Sequence, residues 1–203
     1  MAEVSIVNYG IGNTGSIRNM FRKLRIEAEV VSDEKALLNA KRLILPGIGA
    51  FDACMHALDT SGLRASVLEF AAMQRPMLGI CVGMQMLTLG SEEGSMPGLG
   101  LIRAHTERFP SIDGLRIPHM GWNTIRWSIP DHPLASKLSN EARFYFVHSF
   151  RVICESPAYS LAACSYGGDF SAAIVGGNVA GVQFHPEKSH RFGLQLLSNF
   201  ASA

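Results

Sequence analysis

A cysteine flanked by two glycines joins an apolar run to an amphipathic segment, in the sequence Gly79-Ile-Cys81-Val-Gly83. The pattern G-x-C-x-G is the cysteine form of a nucleophile elbow, in which small residues permit a sharp strand-to-helix turn. The N-terminus of a helix favours the thiolate, and the backbone N–H of Val82 can stabilise an oxyanion. We therefore predict that Cys81 is a nucleophile. The alternative is a core cysteine at the end of a buried strand.

A cysteine nucleophile needs a base, and the chain has seven histidines. His185 directly follows an apolar strand, so we expect it at the same sheet edge as Cys81. Glu187 comes two residues later and can orient the imidazole. The order Cys, His, Glu thus supplies a nucleophile, a base and an orienting acid. His190 lies in a polar stretch and is predicted at the surface. No His/Cys cluster has zinc spacing, so no metal is predicted.

A second motif, Gly10-Ile-Gly12-Asn-Thr-Gly15, matches the G-x-G-x-x-G pattern between a predicted strand and a predicted helix. With Asp33 downstream, it has the local context of a dinucleotide-binding fingerprint. The structural alternative is a tight turn that needs the backbone freedom of glycine. From these residues alone both interpretations stay open, although little of the chain is left for a separate substrate domain.

Apolar strands alternate with helical segments in the first half, which is typical of a parallel sheet with right-handed crossovers. The predicted strands are Glu3–Asn8, Ala28–Val31, Arg42–Leu45 and Met77–Ile80, and the predicted helices are Thr14–Arg25, a helix capped by Ser32 or Asp33 that runs to Asn39, Phe51–Leu58, Leu63–Ala72 and Gly83–Leu89. Short segments rich in β-branched and aromatic residues follow and are predicted to be antiparallel. They are Thr124–Trp127, Ala142–Val147, Ser160–Ser165, Ser171–Val175 and Val179–Phe184, before a last helix over Ser189–Phe200.

The predicted fold class is α/β, with a mostly parallel central sheet flanked by helices and an antiparallel β extension. With 203 residues, 47% of them hydrophobic, the chain is expected to form one domain over residues 1–203. Eighteen basic and seventeen acidic residues give a net charge of +1, which argues against nucleic-acid and membrane partners. No run is long and apolar enough to span a membrane, and no signal peptide is recognisable.

The four cysteines, Cys54, Cys81, Cys154 and Cys164, contain no C-x-x-C motif. A chain of this length does not need disulfides, so reduced thiols and a cytoplasmic location are expected. Three of the four are expected to be ordinary core residues.

Taken together, the motifs resemble the class I (triad) glutamine amidotransferases, and within them the glutaminase subunits of imidazole glycerol phosphate synthase. The segments that carry the resemblance, besides the Cys81 elbow, are Asn8–Asn13, Pro46–Phe51, Glu92–Gly94, Pro118–Asn123, Phe144–Ser149 and Gly181–Ser189. The resemblance implies that the glycine motif binds no dinucleotide and that no cofactor is needed.

The resemblance implies a partner-activated glutaminase that hydrolyses L-glutamine to glutamate and ammonia. Cys81 would attack the side-chain amide, His185 would move the protons and Glu187 would stabilise the imidazolium. The oxyanion would meet the Val82 amide and an amide of the loop formed by Gly47, Ile48 and Gly49. That loop is expected to become productive only when the partner carries its substrate. Matching substrate-binding positions are Gln85, Glu93, His148 and Ser149.

The implied partner is a (β/α)₈-barrel cyclase subunit that forms a heterodimer with the glutaminase. Ammonia would pass to it for the synthesis of imidazole glycerol phosphate and AICAR in histidine biosynthesis. Matching interface positions are Asn13, Trp122, Tyr145 and Lys188.

The chain departs from the family pattern in a few places. Val82 and Met86 replace common leucines, which should change packing only, and Thr14-Gly15 replaces a leucine-containing stretch. The segments Ser16–Met20 and Glu187–Gly193 resemble a paralogous branch that supplies ammonia for the amination of surface-polysaccharide sugars. A non-catalytic regulatory module is a third interpretation, against which the intact Cys81, His185 and Glu187 argue.

Overall fold

The computed structural model describes residues 2–203 and contains twelve strands and six α-helices within them. The strands are β1 Val4–Val7, β2 Ala28–Val31, β3 Leu43–Gly47, β4 Met77–Cys81, β5 Ala104–Arg108, β6 His119–Thr124, β7 Arg126–Trp127, β8 Arg143–His148, β9 Phe150–Cys154, β10 Ser160–Ser165, β11 Asp169–Gly176 and β12 Val179–Val182. The helices are α1 Thr14–Leu24, α2 Glu34–Leu38, α3 Phe51–Thr60, α4 Arg64–Ala72, α5 Val82–Met86 and α6 His190–Ser202.

Ten strands form one sheet, whose main order is β2-β1-β3-β4-β12-β11-β10-β7. The first five strands in this order pair in parallel, and the strands from β11 onward pair antiparallel. β9 pairs with β11 and β5 with β9, while β6 and β8 form a separate two-stranded sheet. The predicted α/β class, with a parallel centre and an antiparallel extension, is confirmed.

Strand β12 corrects the prediction that the whole second half is antiparallel. Val179–Val182 runs antiparallel to β11 but parallel to β4, so it joins the two parts of the sheet. All four of its residues are buried, as are those of β1, β3 and β4. A continuous apolar run of this kind indicates burial on both faces and gives no information about which strand lies beside it.

Several boundaries in the second half also differ from the prediction. The segment Thr124–Trp127 is broken at Ile125, where the chain leaves the β6–β8 sheet and enters the large sheet as β7. The prediction missed β5, β9 and all of β6 except Thr124. In the first half, Pro46 and Gly47 continue β3 instead of ending it. Asp33 caps α2 as predicted, since its side chain accepts a hydrogen bond from the Ala36 amide at 2.9 Å.

The glycine-rich segment is a turn packed against the β3 end. Gly10 and Gly12 have φ values of +93° and +125°, which favour glycine. A Cβ atom on Gly12 would lie 2.9 Å from Pro46 Cγ, so this turn approaches β3 closely. The conformation accounts for both glycines without a nucleotide.

All four cysteines are free thiols. Cys54 and Cys164 are buried as expected for core residues, whereas Cys154 is only half-buried. No helix within residues 2–203 has the length and apolar character needed to cross a membrane.

Candidate active site

Cys81 lies at a strained junction between β4 and α5. Its backbone has φ 56° and ψ −114°, a conformation that a residue with a side chain rarely adopts. The flanking glycines make the turn possible: a Cβ on Gly79 would lie 2.6 Å from the Gly83 carbonyl oxygen, and one on Gly83 would overlap the Leu45 carbonyl oxygen. The predicted elbow is therefore present, with Val82 as the first residue of α5.

The register of two parallel strands brings His185 to Cys81. Val182 of β12 is paired with Ile80 of β4, so the residues that follow each strand leave the sheet at the same edge. The position of His185 is fixed by its backbone, whose amide donates to the Tyr145 carbonyl at 2.9 Å and whose carbonyl accepts from Ser189 Oγ at 2.6 Å.

Glu187 holds the imidazole of His185 from its far side. The distance from Glu187 Oε1 to His185 Nδ1 is 2.8 Å, and the two side chains are 2% and 4% exposed. Because Nδ1 is engaged, Nε2 is the nitrogen that remains for the hydrogen bond with Cys81. Glu187 Oε2 is buried and has no hydrogen-bond partner among residues 2–203.

The environment of His185 favours its protonated form. Burial by itself would lower its pKa, but the hydrogen bonds and charge interactions with Cys81 and Glu187 outweigh burial and raise the pKa to about 9. A protonated imidazole beside a thiol is the arrangement that activates a cysteine nucleophile and then supplies a proton to a leaving group.

Cys81 and His185 open into a cavity of about 420 Å³, a size suited to a small ligand. Its lining includes most of the predicted site and three residues that the prediction missed. The predicted residues in the lining are Ile48, Gly49, Cys81, Val82, Gln85, Glu93, His148, Ser149, His185 and Lys188, and the missed ones are Pro118, Val147 and Phe150. The prediction also missed Gln183, which is buried and lies with its Nε2 3.9 Å from Cys81 Sγ.

The candidate oxyanion residues lie together at the end of β3 and the start of α5. Ile48, Gly49 and Val82 line the cavity. Gly47 is paired with Cys81 across the sheet and lies behind the cavity, where a Cβ on it would be 2.8 Å from the Val82 carbonyl carbon.

Two side chains that the prediction missed donate hydrogen bonds to carbonyl groups at the end of β3 and in the following loop. Tyr9 donates its hydroxyl to the Pro46 carbonyl at 2.6 Å, and the Cys54 thiol donates to the Ile48 carbonyl at 3.2 Å. Burial raises the pKa of Tyr9 far above its usual range, so the hydroxyl stays protonated as a donor.

Two of the predicted substrate-binding side chains are held by protein contacts. Gln85 Nε2 donates to Gln183 Oε1 at 3.0 Å, and Gln183 Nε2 lies 3.9 Å from Cys81 Sγ. Glu93 Oε2 accepts from the Phe51 amide at 2.8 Å, which caps the start of α3. The second oxygen of Glu93 has no such bond in the described chain and remains available at the cavity.

The other two predicted substrate-binding residues form one wall of the cavity. His148 and Ser149 follow each other at the end of β8. Both ring nitrogens of His148 face protein atoms, Phe150 O at 2.7 Å and a nitrogen of His119 at 3.0 Å. Its side chain is therefore occupied, and only its backbone can contact a ligand by hydrogen bonding.

Comparison with known proteins identifies the family. A model described as glutamine amidotransferase class-I matches residues 5–203. The chain belongs to this family. It is 44% identical over 198 residues to imidazole glycerol phosphate synthase subunit HisH 2 of Pseudomonas aeruginosa, which covers 97% of this chain and 98% of the relative. It is 45% identical over 202 residues to subunit HisH of Bdellovibrio bacteriovorus, covering 98% of each.

The fold is also shared with solved structures of low sequence identity. The structure of PurLQS from Thermotoga maritima superimposes with a TM-score of 0.75 at 18% identity, covering 98% of this chain and 97% of the other. This likeness shows that the glutamine amidotransferase has the α/β fold of that protein.

Three of the four predicted interface residues of the amidotransferase lie together beside the cavity. The Trp122 ring, 40% exposed, meets the Tyr145 ring edge-on at 6.0 Å, and Lys188 Nζ lies 5.7 Å from the centre of the Tyr145 ring. The Trp122 ring also stacks on His190 at 5.3 Å. Asn13, half-buried at the start of α1, makes no hydrogen bond with these three residues in the described chain.

The raised pKa of His185 predicts a loss of activity in alkaline solution. The kcat/KM of the amidotransferase for glutamine is expected to fall as pH rises through about 9, because the neutral imidazole cannot protonate the leaving ammonia. The raised pKa of His185 also contributes folding stability, which is fully present below pH 6.5, the ordinary pKa of histidine, and disappears as pH rises through about 9. A pH profile of glutamate release checks the first effect.

The variant Glu187→Gln provides the control for this profile. It removes a contact that raises the pKa of His185, so the alkaline fall should begin at a lower pH. An unchanged alkaline limb in this variant, or no fall at all in the unsubstituted enzyme, would contradict the assignment.

Gly83 is expected to be intolerant of any side chain. In Gly83→Ala the new Cβ would overlap the Leu45 carbonyl oxygen and push α5 away from β3, lowering the free energy of unfolding by about 2–4 kcal/mol. Chemical denaturation measures the loss. In the matched variant Gly15→Ala the new Cβ meets no atom within 4 Å on α1, so stability should stay equal or rise by about 0.5–1 kcal/mol. Equal denaturation midpoints for the two variants would refute this explanation.

Proposed function

We propose that this amidotransferase is the glutaminase subunit of imidazole glycerol phosphate synthase. It hydrolyses glutamine to glutamate and ammonia, and the ammonia passes to a cyclase subunit that makes imidazole glycerol phosphate and AICAR in histidine biosynthesis. The observation that carries the chemistry is the strained Cys81 beside a His185 that Glu187 holds at 2.8 Å. The acceptor pathway rests on the relatives, which are named as subunits of that synthase.

In the first half-reaction, Cys81 Sγ attacks the side-chain amide carbon of glutamine. A C–S bond forms and the carbonyl oxygen becomes an oxyanion, while His185 gives its Nε2 proton to the amide nitrogen. The C–N bond then breaks and ammonia leaves, so the product on the enzyme is a glutamyl thioester. Glu187 stabilises the imidazolium before this transfer and keeps Nδ1 protonated throughout.

In the second half-reaction, water attacks the thioester. His185, now neutral, takes a proton from the water, and collapse of the second tetrahedral intermediate breaks the C–S bond and releases the Cys81 thiolate. The product leaves as a carboxylic acid that loses its proton to water and becomes glutamate. The imidazolium and the thiolate are thereby restored together.

The oxyanion of both intermediates is placed against the Val82 amide and an amide of the Gly47–Gly49 loop. Val82 is the first residue of α5, where the N-terminus of the helix adds positive potential. The Tyr9 hydroxyl and the Cys54 thiol engage the carbonyls of Pro46 and Ile48, so neither of these carbonyl oxygens is free of a hydrogen-bond donor next to the proposed oxyanion position.

The polar groups at the cavity suit the two charged ends of glutamine. The free oxygen of Glu93 can accept from the substrate ammonium, and Gln85 Oε1 remains for a second bond because its amide nitrogen is used by Gln183. The backbone of His148 and Ser149 supplies the opposite wall. No cofactor enters any of these steps.

The partner is assigned to the surface of Trp122, Tyr145 and Lys188, with Asn13 as a further contact. Tryptophan and tyrosine are typical of interface centres, and here Trp122 is exposed and Tyr145 half-buried. Lys188 lines both this surface and the cavity, so a barrel subunit bound here would close over the site of ammonia release. The four free thiols suit a reducing compartment, and we place the single-domain enzyme in the cytoplasm.

The test is a glutaminase assay of the purified chain with glutamine, alone and with the barrel cyclase subunit and its substrate. Glutamate should appear at a low rate for the chain alone and faster in the full mixture. The absence of glutamate from the full mixture would refute the enzymatic proposal.

A second acceptor pathway rests on the segments Ser16–Met20 and Glu187–Gly193, which resemble a paralogous branch of the family. In this alternative the same glutaminase supplies ammonia to a cyclase-like partner in the amination of surface-polysaccharide sugars. Growth without histidine of a strain lacking its own glutaminase subunit, after this chain is introduced, would support the histidine pathway. Failure to grow, with glutaminase activity intact, would support the alternative.

A further inference from the structure

Two buried histidines form a hydrogen-bonded chain behind the glutamine cavity, and none of the steps above uses their rings. His119 of β6 faces His148 of β8 in register, with His119 Nδ1 3.0 Å from His148 Nε2. At one end His148 Nδ1 lies 2.7 Å from Phe150 O, and at the other Asn123 Nδ2 lies 3.3 Å from His119 Nε2. The two histidines are only 3% and 7% exposed.

The hydrogen-bond partners at the two ends determine which nitrogen of each imidazole carries the proton. The Phe150 carbonyl can only accept, so His148 carries its proton on Nδ1 and its Nε2 accepts from His119. His119 therefore also carries its proton on Nδ1, and its Nε2 accepts from the Asn123 amide. The orientation of Asn123 is independently fixed, since its Oδ1 accepts from the Thr124 amide at 2.9 Å and its Nδ2 donates to the Ser165 carbonyl at 3.3 Å.

Both rings are held neutral by their surroundings. Burial lowers the pKa of His119 to about 4, and burial together with repulsion from His119 and His185 lowers the pKa of His148 to about 3. A neutral His148 also places no charge against the His185 imidazolium that the reaction needs.

Two aromatic rings stack on the His119 imidazole and restrict its rotation. Its ring is stacked between Tyr166 at 4.0 Å and Phe146 at 4.7 Å, with interplanar angles of 21° and 23°. Tyr166 is itself tied down by its hydroxyl, which donates to the Arg116 carbonyl at 2.6 Å. A ring with a fixed plane and a fixed proton is a rigid support for the residue that it contacts.

His148, which the His119 ring contacts, belongs to the wall of the cavity. This wall is formed by the consecutive residues Val147, His148, Ser149 and Phe150, all of which line the cavity. We propose that His119 and Asn123 are positioning residues for glutamine: through the ring of His148 they fix the Val147–Phe150 wall against which the substrate binds. This inference rests on the proposed glutaminase function. It assigns His148 a supporting role in which its backbone faces the substrate and its ring faces the protein.

The first test measures the tautomers directly and does not depend on activity. Nitrogen-15 NMR of the full chain labelled at histidine, at neutral pH, should show His119 and His148 as neutral Nδ1–H tautomers, the form opposite to the one that predominates in water. The variants His119→Phe and His148→Phe assign the signals. An Nε2–H tautomer or an imidazolium at either residue would overturn the proposal.

The second test uses His119→Phe, which keeps a flat ring between Tyr166 and Phe146 but cannot donate to His148. With the barrel partner and its substrate present, the KM for glutamine should rise about threefold to tenfold, while kcat stays within about twofold. Asn123→Ala should raise KM in the same direction by a smaller factor, and His119→Gln, which retains a donor, should restore part of the affinity.

The control is His105→Phe, an exposed histidine on β5 outside the site, for which neither parameter should change. Loss of kcat at unchanged KM, or unchanged kinetics in both His119→Phe and Asn123→Ala, would overturn the proposal. Failure of the glutaminase function itself is distinguishable, because the unsubstituted chain would then release no glutamate in the full mixture.

Discussion

Replacing Cys81 with alanine is expected to lower kcat for glutamate release by at least about 10³-fold, even with the partner and its substrate present. No thioester can form without the thiol, and the remaining groups can only bind glutamine. The fold should persist, because alanine fits the space of the cysteine and retains the elbow glycines on both sides. Glutamate measured over time, with circular dichroism for the fold, checks both statements.

The matched control is Cys154→Ala, which removes a half-buried thiol that does not line the cavity. Its kcat should equal that of the unsubstituted enzyme. A Cys81→Ala enzyme that still releases glutamate at a substantial rate would rule out Cys81 as the nucleophile. Mass spectrometry adds a positive readout, since a glutamyl adduct trapped by acid should appear on the peptide containing Cys81 and disappear in the variant.

The second large effect is expected for His185→Ala, which removes both the proton donor and the later base. We expect kcat to fall by about 10³-fold with a smaller change in KM, since His185 acts on the leaving nitrogen and the attacking water. The comparison variant His56→Ala changes an exposed histidine on α3 and should leave kcat unaltered.

A double variant separates the roles of His185 and Glu187. Because Glu187 acts through the 2.8 Å contact with His185, adding Glu187→Gln to His185→Ala should cause little further loss. Glu187→Gln by itself should lower kcat by about 10-fold to 100-fold. Independent, multiplying losses in the double variant would show that Glu187 has a function separate from orienting the imidazole.

The sequence was sufficient to predict the Cys81 elbow because its cause is local. A residue with positive φ between a strand and a helix requires small neighbours, and Gly79 and Gly83 are visible as such in the sequence. His185 and Glu187 were also predictable, since a histidine that follows an apolar strand must leave the sheet at its edge. The helix cap at Asp33 is local in the same sense.

Features that depend on long-range pairing were not predictable. Nothing in the apolar residues of β12 shows that its neighbours are β4 and β11, so its parallel pairing was missed. In the sequence Gln183 looks like an ordinary strand residue, and only the pairing of β12 with β4 shows that it lies beside the Cys81 thiol. The sequence does not distinguish whether His119 is a surface or a core histidine, and only the register of β6 and β8 shows that it lies opposite His148.

The position of β12 has a consequence for how the enzyme is made. This strand is inserted between β4 and β11, yet it comes late in the chain, about a hundred residues after β4. Until it arrives, two apolar strand edges stay unpaired, and such edges promote association between chains. The insertion of β12 also carries His185 to Cys81. A chain in which β12 has not yet been inserted therefore exposes the unpaired edges of β4 and β11. It also lacks the pairing that brings His185 to Cys81, so we expect it to be unable to hydrolyse glutamine.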